Sequence, residues 1–281
     1  MKLLLIDGHN LLFQMFYGMP ARIKGKDGTP IQGVLGFIGA TLKIIRQLCP
    51  SHICIVFDGE HENPRTELLA SYKANRKDYS LVPEEDNPFA QLTLIYKALD
   101  YLQIPYIETK NQEADDIIAS FTKKYESIMQ IIIVSGDSDF FSLISENTQI
   151  YRYRGKQSYF CNKEYLEMKY GIEPNQYILF KSLIGDTSDN IKGVLGIGPK
   201  TAASIVSHYP TYDTLTEELD AIQNKKIREK IKNAKDILYR NQQLIQLQIT
   251  DVLPFTLENL EYTLESGITS TSIMKALSLW E

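Results

Sequence analysis

Glu113, Asp115 and Asp116 place three carboxylates in four residues at the start of a helical pattern that continues through Ile117, Ile118 and Ala119. A helix N-terminus favours anions, so capping is the ordinary role of any one such acid. Four further places put acids where an apolar element ends. The run from Lys2 to Ile6 stops at Asp7, and the run from Ile53 to Phe57 stops at Asp58. Ile131 to Val134 leads into Ser135-Gly136-Asp137-Ser138-Asp139, with two carboxylates at alternate positions of an extended tip. The helical run from Tyr177 to Leu183 leads into Gly185-Asp186-Thr187-Ser188-Asp189-Asn190. Carboxylates brought together in this way repel one another unless cations neutralise them. The candidate ligands are all oxygens, which suits Mg²⁺ or Mn²⁺ rather than zinc. The histidines, His9, His52, His61 and His208, are scattered, and only His9 adjoins one of these acids.

The elements that must position these acids alternate between short apolar strands and helical patterns. That order predicts an α/β fold with a mostly parallel central sheet flanked by helices, and ligands bind such sheets outside the carboxyl ends of the strands. Leu11 to Tyr17, Val34 to Leu48 and Phe89 to Leu102 read as helices. Phe13, Phe16 and Tyr17 suit either the core or base stacking. Tyr151-Arg152-Tyr153-Arg154 suits an edge strand with a solvated basic face or a stacking surface, and is assigned no role.

With 281 residues, 43% hydrophobic and 23% charged, the chain is long enough for one large domain or one domain with an appendage. No apolar run approaches a membrane span and no signal peptide is evident, so a cytoplasmic protein without a membrane partner is expected. Cys49, Cys54 and Cys161 make no disulfide framework and read as buried thiols. A net charge of −5 is weak evidence against a nucleic-acid partner, because removing nine site carboxylates from the 35 acids leaves 26 against 30 Lys and Arg.

Two other stretches bear on a phosphate ligand. Tyr72-Lys73-Ala74-Asn75-Arg76-Lys77 is a basic patch with an aromatic residue, and Arg65 precedes it; a solvated helix face and a phosphate clamp fit it equally. Gly193-Val194-Leu195-Gly196-Ile197-Gly198-Pro199-Lys200-Thr201 joins two helical patterns. Its glycines permit a tight turn, Pro199 suits a first helical turn, and exposed N–H groups there would meet a phosphate. From Tyr212 onward the chain reads as more helix, including a basic stretch from Lys225 to Lys235 with no recognisable chemistry.

Taken in order, seven motifs resemble those of the 5′-nuclease family, which includes flap endonucleases and the N-terminal 5′→3′ exonuclease domain of bacterial DNA polymerase I. They are Leu5-Ile6-Asp7-Gly8, Val56-Phe57-Asp58, Tyr72-Lys73-Ala74-Asn75-Arg76, Glu113-Ala114-Asp115-Asp116, Gly136-Asp137-Ser138-Asp139, Gly185-Asp186-Thr187-Ser188-Asp189-Asn190 and Gly196-Ile197-Gly198-Pro199-Lys200-Thr201. The likeness is specific over residues 1 to about 206 and continues more weakly to about Tyr262. With no polymerase sequence following, it resembles a stand-alone member.

The resemblance implies a two-metal site on Asp7, Asp58, Glu113, Asp115, Asp116, Asp137, Asp139, Asp186 and Asp189. Two Mg²⁺ ions, or Mn²⁺, would then serve hydrolysis of DNA phosphodiester bonds near a 5′ end, flap, nick or gap, in replication or repair. It implies that Lys73 and Arg76 sit at the base of a helical arch as catalytic cations, with Arg65 and Tyr72 contacting DNA. It also implies a helix–three-turn–helix motif that grips duplex DNA through Gly196, Gly198, Lys200 and Thr201. In some members that motif holds potassium on main-chain carbonyls, corresponding here to Leu183, Ile184, Lys192, Val194 and Ile197. A nuclease body at 1–175, a helical region at 176–281 and a monomer are expected. Gln14 and Ser138 stand where many polymerase-linked members carry Arg and Lys, which removes positive charge near the site. The competing readings are a structure-specific DNA-binding protein without turnover and a PIN-like ribonuclease.

Overall fold

The computed structural model describes residues 1–19, 21–59 and 65–280. His61 lies outside them. Six strands form one sheet in the order β3-β2-β1-β4-β5-β6: β1 Lys2–Asp7, β2 His52–Phe57, β3 Tyr106–Glu108, β4 Gln130–Val134, β5 Thr148–Arg152 and β6 Tyr159–Cys161. Every pairing is parallel except β5 with β6. The expected edge strand at Tyr151 is therefore covered: β6 pairs beyond it, and Tyr151 is buried.

The central strands are apolar on both faces because both faces are covered. Alternation divides their side chains cleanly. Leu4, Ile6, Ile53, Ile55, Ile132 and Val134 pack into the core with α1 (Gly8–Gly18), α2 (Gln32–Leu48) and later helices. Leu3, Leu5, Cys54, Val56, Ile131 and Ile133 face the opposite core. Between β2 and β3 come α3 (Arg65–Leu68) and α4 (Leu92–Tyr101), and α5 (Ala114–Tyr125) precedes β4. The rest is helical: α6 Lys163–Tyr170, α7 Tyr177–Ile184, α8 Pro199–His208, α9 Tyr212–Glu217, α10 Lys225–Asn233, α11 Lys235–Ile245 and α12 Ser270–Ala276, with the small hairpin β7 Gly185–Asp186 and β8 Ile191–Lys192 between α7 and α8.

Two expectations change. The stretch expected to arch over the site as helix has only the four-residue α3 and two short 3-10 turns among its described residues, and Lys73 takes φ 55°, which a continuous right-handed helix excludes. The helical region at 176–281 also packs on the strand-bearing part of the chain. Tyr262 N–H donates to Ser51 O, and α12 packs on α2 through the core that holds Ile273 and Met274. Cys49 is exposed, since it sits in the left-handed residue that ends α2, whereas Cys54 and Cys161 are buried.

β1 pairs with β2 on one side and β4 on the other, with Asp7 opposite Val56 and Ile6 opposite Val134. The carboxyl ends of the three strands therefore finish at one edge, at the point where the strand order turns.

Candidate metal centre

Asp7 ends β1 and caps α1, its Oδ1 accepting from the Asn10 N–H at 3.0 Å and its Oδ2 from the Ser135 hydroxyl at 2.8 Å. Asp58, just past β2, accepts from the Ala114 N–H at 2.7 Å and lies 3.6 Å from His9 Nδ1. Asp115 stands in the first turn of α5, and Asp137 follows β4, where its Oδ1 accepts from the Asp139 N–H at 2.9 Å. These four carboxylates feel one another's charge.

The electrostatics split the group. Burial, reinforced by the charges of Asp58 and Asp137 and opposed by the hydrogen bonds just named, pushes Asp7 up to about 6. Burial and the charges of Asp7, Asp137 and Asp58 push Asp115 well above the usual carboxylate range. At Asp58 burial acts in the same direction but is outweighed by His9, the Ala114 N–H and Lys73, so its carboxyl is held low.

A second group lies alongside. One carboxylate oxygen each from Asp139, Asp186 and Asp189 fall within 4.8 Å of one another, a donor set fit for a hard divalent cation. Lys181 of α7, 5% exposed, reaches into this group and pairs with both Asp139 and Asp186. At Asp186 burial is outweighed by Lys181 and Ser188, which hold its carboxyl low.

The two remaining acids are differently placed. Arg65, 3% exposed, grips Asp116 with both nitrogens at 3.0 and 2.8 Å and also pairs with Glu113. Asp116 Oδ1 further accepts from the Gln248 N–H at 2.8 Å, so both its oxygens are already engaged. Consecutive residues on a helix point about 100° apart, so Asp115 and Asp116 face different neighbours. Asp116 thus joins α5 to the C-terminal segment through Arg65 and Gln248. Arg65, expected at a DNA phosphate, is buried with these acids.

Residues 71–76 cover the centre. The Tyr72 hydroxyl lies 3.4 Å from Asp189 Oδ2 and 3.5 Å from Glu113 Oε2, and its ring packs with Ile191, Leu244 and Ile245. Tyr72, expected to contact DNA, is 5% exposed here. Lys73 pairs with Glu113, and Arg76 with Asp189 at 3.1 Å. Asn75 Nδ2 donates to Thr187 O at 2.9 Å and Asn190 Nδ2 to Ser71 O at 2.8 Å, stitching this segment to the loop that carries Asp186 and Asp189. Beside Asp58 and Lys73 a cavity of about 760 Å³ opens, walled by His9, Arg76, Tyr79 and Phe89.

The glycine-rich hairpin stands next to this loop. Gly185 has φ 81°, and a Cβ on Gly193 would come within 2.3 Å of the Ile184 carbonyl carbon, so the two arms approach as only glycine permits. Gly196, Gly198 and Lys200 are exposed and Thr201 is half-buried at the start of α8. Of the five proposed potassium carbonyls, Leu183 O accepts from the Val194 N–H, Val194 O from the Ile197 N–H and Lys192 O from Asn241 Nδ2. Sequence reasoning missed Lys181 and Asn241. Lys181 is the single charge in the apolar run from Tyr177 to Ile184, a signal that was available; Asn241 had none.

One consequence is measurable without metal. Between about pH 4 and 6 a carboxyl raised from 3.8 to about 6 holds its proton in the folded chain and not in the unfolded one. Its contribution to stability is therefore present on the acid side and declines as pH rises through that window. Asp115 adds in the same direction, while the depressed Asp58 and Asp186 act at lower pH with the opposite sign. In EDTA, thermal unfolding is expected to show Asp7→Asn gaining on the parent protein as pH rises from 4 to 7. Parallel profiles would place the titration elsewhere.

A parallel α/β sheet with this acid array at its carboxyl edge, followed by a helix–hairpin–helix unit, defines a nuclease architecture. The family model described as the 5′-3′ exonuclease N-terminal resolvase-like domain matches residues 2–171, and that of the 5′-3′ exonuclease C-terminal SAM fold matches 172–266. The chain belongs to the 5′-3′ exonuclease family. DNA polymerase I of Rhizobium leguminosarum is 33% identical over 98% of this chain and 27% of its own length. Thermostable DNA polymerase I of Thermus aquaticus is 34% identical over 82% of this chain and 26% of its own length. The chain thus spans about a quarter to a third of the curated relatives it matches. Among solved structures, the T5 D15 protein co-crystallised with metal ions superposes with TM-score 0.73 at 21% identity, covering 88% of this chain and 90% of that one. The catalytic core of Rad2 in complex with DNA substrate gives TM-score 0.61 at 17% identity, covering 98% and 87%. Among the described residues no helix is long and apolar enough to cross a membrane.

Proposed function

We propose that this chain hydrolyses DNA phosphodiester bonds near 5′ ends or flaps, as a 5′→3′ exonuclease and flap endonuclease in DNA replication or repair. The observation that carries the reading is the pair of carboxylate groups at one sheet edge, Asp7, Asp58, Asp115 and Asp137 beside Asp139, Asp186 and Asp189. These carboxylates would hold divalent ions, Mg²⁺ with Mn²⁺ as substitute, which would supply Lewis acidity toward a phosphate. In this reading Glu113 joins the ligand set once Lys73, its ion-pair partner here, is drawn away, and Asp116 supports it through Arg65. Lys73 and Arg76 then turn from their carboxylates to the negative charge that develops on the phosphate.

The duplex beside the cleaved strand rests on the hairpin, through the N–H groups around Gly196 and Gly198 and through Lys200 and Thr201. Potassium on the carbonyls of Leu183, Ile184, Lys192, Val194 and Ile197 is part of the same proposal, each carbonyl retaining a second lone pair for it. So are a cytoplasmic monomer and a division of the chain near residue 175. Labelled flap, nicked and single-stranded DNA are the substrates that test the reading. Cleavage is expected with Mg²⁺ or Mn²⁺ and none in EDTA. Full activity in EDTA, or no cleavage of any of the three with metal, would overturn it.

A further inference from the structure

Outside the acidic centre, the densest unassigned charge lies on α10, where Lys225, Lys226, Arg228, Lys230 and Lys232 accompany the single acid Glu229. Ile231 and Ala234 are buried and Ile227 is partly buried, which sets the inward face of the helix. At about 100° per residue, that leaves Lys226 and Lys230, one turn apart, on one flank. Lys225 and Lys232 fall on another.

That flank meets the glycine-rich hairpin at Lys230. Lys230 Nζ donates to Gly196 O at 2.9 Å. Gly196 has φ 76°, and a Cβ there would lie 2.3 Å from that Nζ, so the missing side chain is what seats the ammonium. The seat is open: Lys226, Lys230, Leu195, Gly198 and Lys200 are all exposed. An ammonium has three donors, and Gly196 O takes one. Lys226 has no ion-pair partner among the described residues. Arg228, by contrast, is spent internally, its Nη1 donating to Asp220 O and Ile222 O.

We propose that Lys226 and Lys230 form a second cationic contact for the duplex held by the hairpin, with the phosphate backbone as ligand. The inference rests on the duplex reading above and extends it to a helix about thirty residues downstream of the hairpin. The Lys230 bond to Gly196 fixes α10 against the hairpin tip, so the two contacts present as one rigid surface. Phosphates positioned there are gripped without regard to base sequence.

The test is binding of a 5′-flap duplex in Ca²⁺, followed by fluorescence anisotropy across a NaCl series. Each phosphate contact contributes about 0.9 to the slope of log affinity against log salt. Lys226→Ala with Lys230→Ala is expected to lower that slope by about 2 and to weaken binding roughly tenfold or more at low salt. Lys226→Ala alone, which disturbs no bond, should give about half the change in slope. Lys225→Ala, on the other flank, should leave it unaltered. Lys230→Arg should restore most of the loss. Weakened binding with an unchanged slope would make Lys230 a pin for the hairpin and overturn the proposal. So would an unchanged slope in Lys226→Ala. If the parent protein bound no duplex at all, the underlying reading would fail as well, whereas duplex binding with a slope shared by the double variant would refute the role of α10 alone.

Discussion

Asp115→Asn is expected to lower single-turnover cleavage in Mg²⁺ by on the order of 10³-fold or more, while binding of a flap substrate in Ca²⁺ stays within about threefold. The size follows from its place. Asp115 is buried among Asp7, Asp58 and Asp137, and burial together with their charges disfavours its ionised form when no cation is present. Removing it weakens the hold on a cation whose contribution to the barrier is several kcal/mol, and each 1.4 kcal/mol is about tenfold in rate. The same substitution relieves repulsion in the metal-free protein, so its melting temperature in EDTA is expected to rise. Asp116→Asn, one position along the helix, should do the reverse, lowering stability more than it lowers cleavage. Equal loss of cleavage in the two variants, with no loss of stability in the second, would show that Asp116 is the ligand.

Arg65→Ala should be the most damaging single change to stability, about 3–5 kcal/mol by urea unfolding in EDTA. Its guanidinium sits within hydrogen-bonding distance of Asp116 and also contacts Glu113 and the Gln246 carbonyl. Truncation strands buried carboxylates without their cation, and that penalty exceeds the worth of the ion pairs themselves. Arg65→Ala combined with Asp116→Ala is therefore expected to cost clearly less than the sum of the two single changes. Additive losses would mean that Arg65 acts independently of Asp116. An effect below about 1 kcal/mol would place Arg65 at the surface, as a phosphate contact.

The fold and the acidic centre were legible because both follow from short-range rules. Apolar runs ending in Asp7 and Asp58 had to be buried parallel strands, and parallel strands deliver their ends to one edge. The sequence does not show how the nine acids divide into groups. A single step along the helix, about 100° of rotation, separates the roles of Asp115 and Asp116, and only the position of Arg65 and Gln248, far away in sequence, decides which faces what. The local form of the cover over the site is hidden for a related reason. Tyr72, Lys73 and Arg76 suit a helix by composition, yet their partners Glu113 and Asp189 pull them into turns. Asn241, which holds Ser182 O and Lys192 O together, is an ordinary polar residue in an amphipathic helix until the tertiary contact is known.

The stitching of residues 71–76 to the loop at 187–190, with the Arg65 and Asp116 ties to Gln246 and Gln248, bears on how such a chain could be inherited. Two family models meet at residues 171 and 172, as though the pieces were separable modules. Yet one continuous core runs from Leu3 and Phe121 through Ile205 and Leu238 to Leu260, and the acids of the first piece borrow their positioning from the second. A recombination breakpoint at that seam would split an ion network, a core and an acid-bearing sheet edge at once. The smallest unit that genetic exchange could carry intact between proteins is therefore the pair, and neither half is a usable graft alone.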